Sequence, residues 1–106
     1  MKSKIAIIVA GYGRVGKEFC RRIECFPHLS LKAVFRSAQQ LVNLKGITAN
    51  EFTQFRPRNT SVEDIIGRID EPTVLIDATA DKCMLDDWLL ALKSGASVIT
   101  ANKLPL

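Results

Sequence analysis

Near its start the chain runs Ile5-Ala6-Ile7-Ile8-Val9-Ala10 straight into Gly11-Tyr12-Gly13-Arg14-Val15-Gly16. No other stretch restricts the fold so tightly. A continuous run of Ile, Val and Ala suits a strand buried on both faces, as found in parallel sheets flanked by helices. Gly-x-Gly-x-x-Gly directly after such a strand asks for three things: a tight turn, a backbone bare enough for a pyrophosphate to approach, and a helix packed closely on the strand. Amide groups at the start of that helix would face the phosphates, with the positive end of the helix dipole behind them. The glycines alone are weak evidence. With their strand before and their helix after, they make a dinucleotide site the leading expectation.

After Gly13 the spacing turns helical. Val15, Phe19, Ile23 and Phe26 recur every three or four residues, and Lys17, Glu18, Arg21 and Arg22 take the other side. Pro27 and His28 close that helix, and Leu31–Phe35 reads as a second strand, completing a βαβ unit. The stretch from Ser37 to Asn59 is the least legible, with a short third strand expected near Phe52 to Phe55. Thr60-Ser61-Val62-Glu63 has the form of a capping box before a helix that buries Val62, Ile65, Ile66 and Ile69. Thr73–Ala78 is another buried strand. A third helix is expected to bury Leu85, Trp88, Leu89 and Leu92 and to end at Gly95 in a left-handed cap. Ser97–Thr100 is the last strand. This alternation predicts one α/β domain over residues 1–106, a Rossmann-type doubly wound parallel sheet with right-handed crossovers.

Composition narrows the partners. Of 106 residues, 47% are hydrophobic and 25% charged, the balance of an ordinary globular domain. Fifteen basic against eleven acidic residues give a net charge of +4, which favours a polyanionic ligand. No alternation of basic and aromatic residues points to nucleic acid. No apolar stretch approaches the ~20 residues that cross a bilayer, and the cytoplasm is the expected compartment. Cys20, Cys25 and Cys83 lack Cys-x-x-Cys spacing and read as buried or half-buried thiols rather than as a metal site.

The site residues follow from the topology. Dinucleotide folds usually carry Asp or Glu at the end of the second strand, bonded to the ribose 2′-hydroxyl. Here the sequence is Val34-Phe35-Arg36-Ser37. Arg36 offers a fork of donors and Ser37 a hydroxyl, both suited to a 2′-phosphate, and Arg14 in the glycine loop is expected to assist. NADP is therefore favoured over NAD. Asp77-Ala78-Thr79-Ala80-Asp81 leaves the carboxyl end of its strand, where such sheets hold their ligands. Small residues there let the backbone run beside a ribose or nicotinamide. Asp77 and Asp81 read as turn or cap residues before they read as catalytic ones. Ala101-Asn102-Lys103 emerges at the same edge, and its lysine is placed to donate to a substrate oxygen.

Taken together, Gly-Tyr-Gly-Arg-Val-Gly, Phe35-Arg36-Ser37, Leu75–Ala80 and Val98–Lys103 resemble the amino-terminal half of homoserine dehydrogenases, over essentially all 106 residues. That resemblance implies an NAD(P)-binding domain of an enzyme interconverting aspartate semialdehyde and homoserine. It implies that Thr79, Ala80 and Ala101 line the nicotinamide half of the cleft and that Lys103 lies by nicotinamide and substrate. The family's remaining catalytic groups come from a following substrate and dimerisation domain. The chain is thus expected to bind cofactor without turnover, any homo-oligomer resting on contacts outside it. Gly-Tyr-Gly-Arg-Val-Gly also resembles the opening of nucleotide-sensing domains of potassium transport systems, a non-catalytic alternative. Those usually carry an acid where Arg36 stands.

Overall fold

A computed structural model describes residues 4–79 and 84–100. The glycine loop sits where the apolar run ends. Strand β1 (Ile5–Ala10) leads through it to helix α1 (Arg14–Ile23), then to β2 (Leu29–Arg36), β3 (Gln39–Val42), a 3-10 helix (Ala49–Thr53) and β4 (Arg56–Pro57). Helix α2 (Val62–Gly67), β5 (Thr73–Asp77), α3 (Leu85–Lys93) and β6 (Ser97–Thr100) complete the described chain. These strands form one sheet in the order β4–β3–β2–β1–β5–β6.

Strands β2, β1, β5 and β6 run parallel, as expected. The all-parallel expectation is corrected at one edge. β3 folds back antiparallel on β2, and β4 antiparallel on β3. Residues 37–59 therefore form an arm of two hairpin-paired strands around a 3-10 helix. The strand expected near Phe52 to Phe55 lies elsewhere, at Gln39–Val42 and Arg56–Pro57. The arm's only strong capping box, Thr48 with Glu51, was not read in the sequence.

Both faces of the central sheet are covered, which is why β1 reads as an unbroken apolar run. Ile7, Val9, Leu31, Val34 and Ile76 pack with Cys20 and Ile23 of α1. On the other face Ile8, Phe35 and Leu75 pack with Val62, Ile65 and Ile66 of α2 and with Trp88 and Ala91 of α3. Ile69 packs against that cluster while partly buried. Ser61, one residue later than expected, caps α2 by accepting from the Asp64 amide at 3.1 Å. Gly95 takes the expected left-handed conformation, with φ +92°.

Two helix faces depart from the sequence reading. In α1 the buried residues are Gly16, Cys20 and Ile23, while Val15 and Phe19 are exposed, as is Phe26 beyond the helix end. Gly16 is the reason: a Cβ there would collide with the Gly11 carbonyl, so the helix makes its closest approach to the loop through that position. In α3 Trp88 and Ala91 face the sheet, leaving Leu85, Leu89 and Leu92 exposed. A large ring with a small Ala three residues on sets the packing there, and the leucines fall on a flank. Cys20 is buried, which pushes its thiol up to about 12, and Cys25 is exposed. Cys83 and Asp81 lie outside the described residues.

One irregularity serves the arm. The β1–β2 register slips between Ile7 and Ile8, leaving Lys32 as the extra residue of β2. Lys32 is buried; its Nζ donates to the Leu44 carbonyl at 2.7 Å and pairs with Glu71 at 3.1 Å. A buried ammonium needs such partners.

Candidate functional site

The carboxyl ends of β1, β2 and β5 meet at the point where the strand order reverses, the place where open α/β sheets bind ligands. A cleft of about 520 Å³ opens there, lined by Gly11, Tyr12, Gly13, Arg36, Ser37, Ala78 and Thr79. All seven come from turns or strand ends. Gly11 has φ +100°, and a Cβ on it would meet the Ala78 backbone at 2.9 Å. The Gly11 amide donates to the Phe35 carbonyl at 2.7 Å, and the Ala78 amide to Ala10 at 2.8 Å, so the turn is fastened to both flanking strands. Over Gly13, by contrast, a Cβ would meet nothing within 4 Å. That open space lies at the N-terminus of α1, whose cap is Gly13 without a side-chain bond. A dinucleotide pyrophosphate fits this bare backbone and helix start.

The far wall is fixed by a buried carboxylate. Asp77 is 0% exposed. One of its oxygens accepts from the Thr79 amide at 2.9 Å and from Thr79 Oγ1 at 2.6 Å, the other from Trp88 Nε1 at 2.7 Å. Asp77 thus takes the turn role the sequence suggested. Its bonds to Thr79 hold the turn after β5, where Ala78 and Thr79 line the cleft. Trp88 is a core residue whose indole N–H is satisfied by that carboxylate.

Arg36 is held rather than free to sweep the surface. Its Nε donates to Gln39 Oε1 at 3.0 Å, and its guanidinium carbon lies 4.6 Å from the Phe55 ring centroid. Tyr12 closes the same corner, stacked on Phe52 at 5.8 Å and tilted against Phe55 at 5.1 Å. Burial pushes the Tyr12 phenol up. Ser37 follows in a left-handed conformation, φ +41°, turning the chain into the arm. Beyond Ser37 a narrower cleft continues past Gly11 and Thr79, and Arg58 lines it. The Arg58 guanidinium carbon lies 4.5 Å from the Phe35 ring, and its amide donates to Ala38 at 2.7 Å. Among the described residues neither Arg36 nor Arg58 is in an ion pair. Sequence reasoning missed Arg58, Phe55 and Gln39; only the strand pairing of the arm brings them beside Arg36.

The expected site residues are thus sorted. Gly11, Tyr12, Gly13, Arg36, Ser37, Ala78 and Thr79 come together in one cleft. Gly16 supports it from beneath. Arg14 and Val15 do not join it: they line a groove along α1 with Glu18, Phe19 and Arg22. The helix starts at Arg14, and its turn carries those two side chains onto the flank. Ala80, Ala101, Asn102 and Lys103 lie outside the described residues.

The sequence matches the family model described as dihydrodipicolinate reductase, N-terminus, over residues 5–102. Among solved structures, a Candida auris protein of unknown function superposes with a TM-score of 0.77 at 18% identity. The match covers 96% of this chain and 32% of that one, so the chain spans about a third of that relative's length. At that identity the likeness is one of fold. A comparison with curated proteins finds no match.

Proposed function

The chain belongs to the family of the dihydrodipicolinate reductase N-terminus, and from that membership we propose that it is the NADP-holding half of an oxidoreductase. Its class, an NAD(P)-binding oxidoreductase-type domain, is common ground between this family and the homoserine dehydrogenase resemblance. The observation that carries the proposal is the cleft itself: Gly11 and Gly13 on one side, Ala78 and Thr79 on the other, Arg36 and Ser37 at the end. The glycine turn and the α1 N-terminus receive the pyrophosphate. Arg36 and Ser37 receive a ribose 2′-phosphate, with Arg58 on the far side of Ser37 as a second donor fork. Absence of an acid at the end of β2 removes the repulsion that would otherwise disfavour a phosphorylated ribose.

A bound nicotinamide supplies the hydride chemistry. The protein's share is orientation. Ala78 and Thr79, fixed by Asp77, hold the nicotinamide half against the sheet edge. Lys103 is assigned to the substrate oxygen, where an ammonium offsets negative charge as it develops. The finer substrate reading is aspartate semialdehyde and homoserine, from the Thr100-Ala101-Asn102-Lys103 motif. The family description favours a second one, reduction of dihydrodipicolinate. Either needs a second wall over the substrate, since orientation in a closed site is worth about 7–11 kcal/mol of barrier. The 106 residues alone are therefore proposed to bind nicotinamide nucleotide without turnover.

Calorimetric titration with NADPH and NADH, followed by assays with homoserine and dihydrodipicolinate, tests this. Binding of NADPH with no turnover by the isolated chain supports the reading. Failure to bind either nucleotide defeats it, and turnover sensitive to Lys103→Ala defeats the claim that a second wall is needed.

A further inference from the structure

Arg36 reaches the cleft from the last position of β2, and the hairpin that follows decides how its side chain is held. Ser37 and Ala38 form a two-residue turn, so Gln39 pairs directly opposite Arg36 on the antiparallel ladder. Residues placed opposite one another in this way project from the same face, with Cβ atoms about 4.5–5.5 Å apart. On its other side Gln39 pairs with Pro57 of β4, the strand that Phe55 leads into. Gln39 therefore stands between the arginine and the segment that carries its aromatic platform.

A guanidinium has five N–H donors, one on Nε and four on the two terminal nitrogens. Gln39 Oε1 takes the Nε donor at 3.0 Å, and Phe55 lies against the flat face at 4.6 Å. Among the described residues, the bond to Gln39 is the only hydrogen bond of the Arg36 side chain. With Nε committed and one face covered, the terminal pair is left for a ligand. That pair is the fork that meets two phosphate oxygens at once.

The acceptor is also neutral. An amide oxygen orients the guanidinium and leaves its charge unpaired. A carboxylate in the same place would offset that charge and repel an incoming phosphate.

Gln39 is not what fastens the arm. Its neighbour Gln40 projects from the opposite face of β3 and does so. Gln40 Oε1 accepts from the amides of Asn59 at 3.1 Å and Thr60 at 3.2 Å, and from Thr60 Oγ1 at 2.9 Å. Its Nε2 donates to Asn59 Oδ1 at 2.9 Å. One glutamine ties the arm to the chain entering α2, and the next one toward the turn ties Arg36.

We propose that Gln39 is the positioning residue that makes the cleft selective for a phosphorylated ribose. Its neutral oxygen fixes the Arg36 fork for the 2′-phosphate without pairing its charge. The proposal rests on the NADP reading above and adds the residue that sets its selectivity.

The test is calorimetric titration with NADPH and NADH of the wild-type chain, Gln39→Leu, Gln39→Glu, and Gln39→Leu combined with Arg36→Ala. Gln39→Leu, similar in size but without an acceptor, should weaken NADPH binding about fivefold. Gln39→Glu should weaken it at least about tenfold, with a loss that shrinks in high salt. NADH should change less than about twofold in both, because the two nucleotides differ only at the 2′-phosphate. Beside Arg36→Ala, Gln39→Leu should add no further loss, since its effect passes through the missing guanidinium. Equal losses for the two nucleotides, unchanged NADPH affinity in both variants, or a full further loss on top of Arg36→Ala overturns the proposal and leaves the NADP reading standing. A wild-type chain that binds NADH as tightly as NADPH, or binds neither, overturns both.

Discussion

The two sides of β1 build their ends of the cleft by different means. On the β5 side, the site is backbone held by buried groups: Gly11 against Ala78, and Asp77 accepting three hydrogen bonds out of reach of water. On the β2 side it is side chains held at the surface, with Arg36 lying on Phe55, tied to Gln39, and Arg58 lying on Phe35. The first arrangement fixes where a phosphate chain can lie, and changing it disturbs the fold. The second fixes which charge is welcome at the end of the ribose, and changing it leaves the fold intact. Position and selectivity are thereby separated.

Asp77→Ala is the largest expected break of that contrast. It leaves the Trp88 indole and the Thr79 donors buried or half-buried without an acceptor, and should cost about 3–5 kcal/mol of stability. Chemical denaturation checks this, and a loss under about 1 kcal/mol would mean the turn is held by other groups. Gly11→Ala comes next. A side chain at φ +100°, pressed on the Ala78 backbone, costs about 1–3 kcal/mol. Both nucleotides should lose affinity together, because the shared pyrophosphate path is moved.

Phe55→Leu tests the other side with a smaller change. Removing the ring under Arg36 should lower NADPH affinity by about tenfold, equivalent to about 1.4 kcal/mol, with NADH and the denaturation midpoint nearly unaffected. Equal loss for both nucleotides would show that the arm shapes the whole cleft. The smallest effect concerns the arm's root. The Lys32 ammonium holds the Glu71 carboxyl below its usual range. A depressed folded-state value contributes stability above the unfolded carboxylate pKa, and that contribution is lost as pH falls through the folded value. Glu71→Gln should therefore lower stability at pH 7 and converge with the wild type as pH falls below about 4.5, which flattens the decline in acid.

Legibility in the sequence follows the same division. Backbone-determined features announce themselves: glycines at fixed spacing, an apolar run wherever a strand is covered twice, and Gly95 where a left-handed cap is needed. Arg36 was also readable, since its position at the end of β2 follows from the βαβ unit. The arm was not. Gln39–Val42 is half-buried and mixed in polarity, and Arg56–Pro57 is exposed, so neither shows the apolar pattern of a strand. Arg58 and Phe55 gain their roles from pairing partners far away in sequence. The helix flanks misled for a related reason. Leu89 and Phe19 are as apolar as core residues, and nothing local reveals that Gly16 and Ala91 are the positions pressed on the sheet.

The separation of position from selectivity is tested most directly by titrating the wild-type chain and Arg36→Ala with NADPH and NADH in parallel by calorimetry. The account predicts that the substitution costs NADPH about 1.5–3 kcal/mol, the range for hydrogen bonds to a charged group, and leaves NADH affinity almost unchanged. Equal losses for the two nucleotides, or none for NADPH, would contradict it.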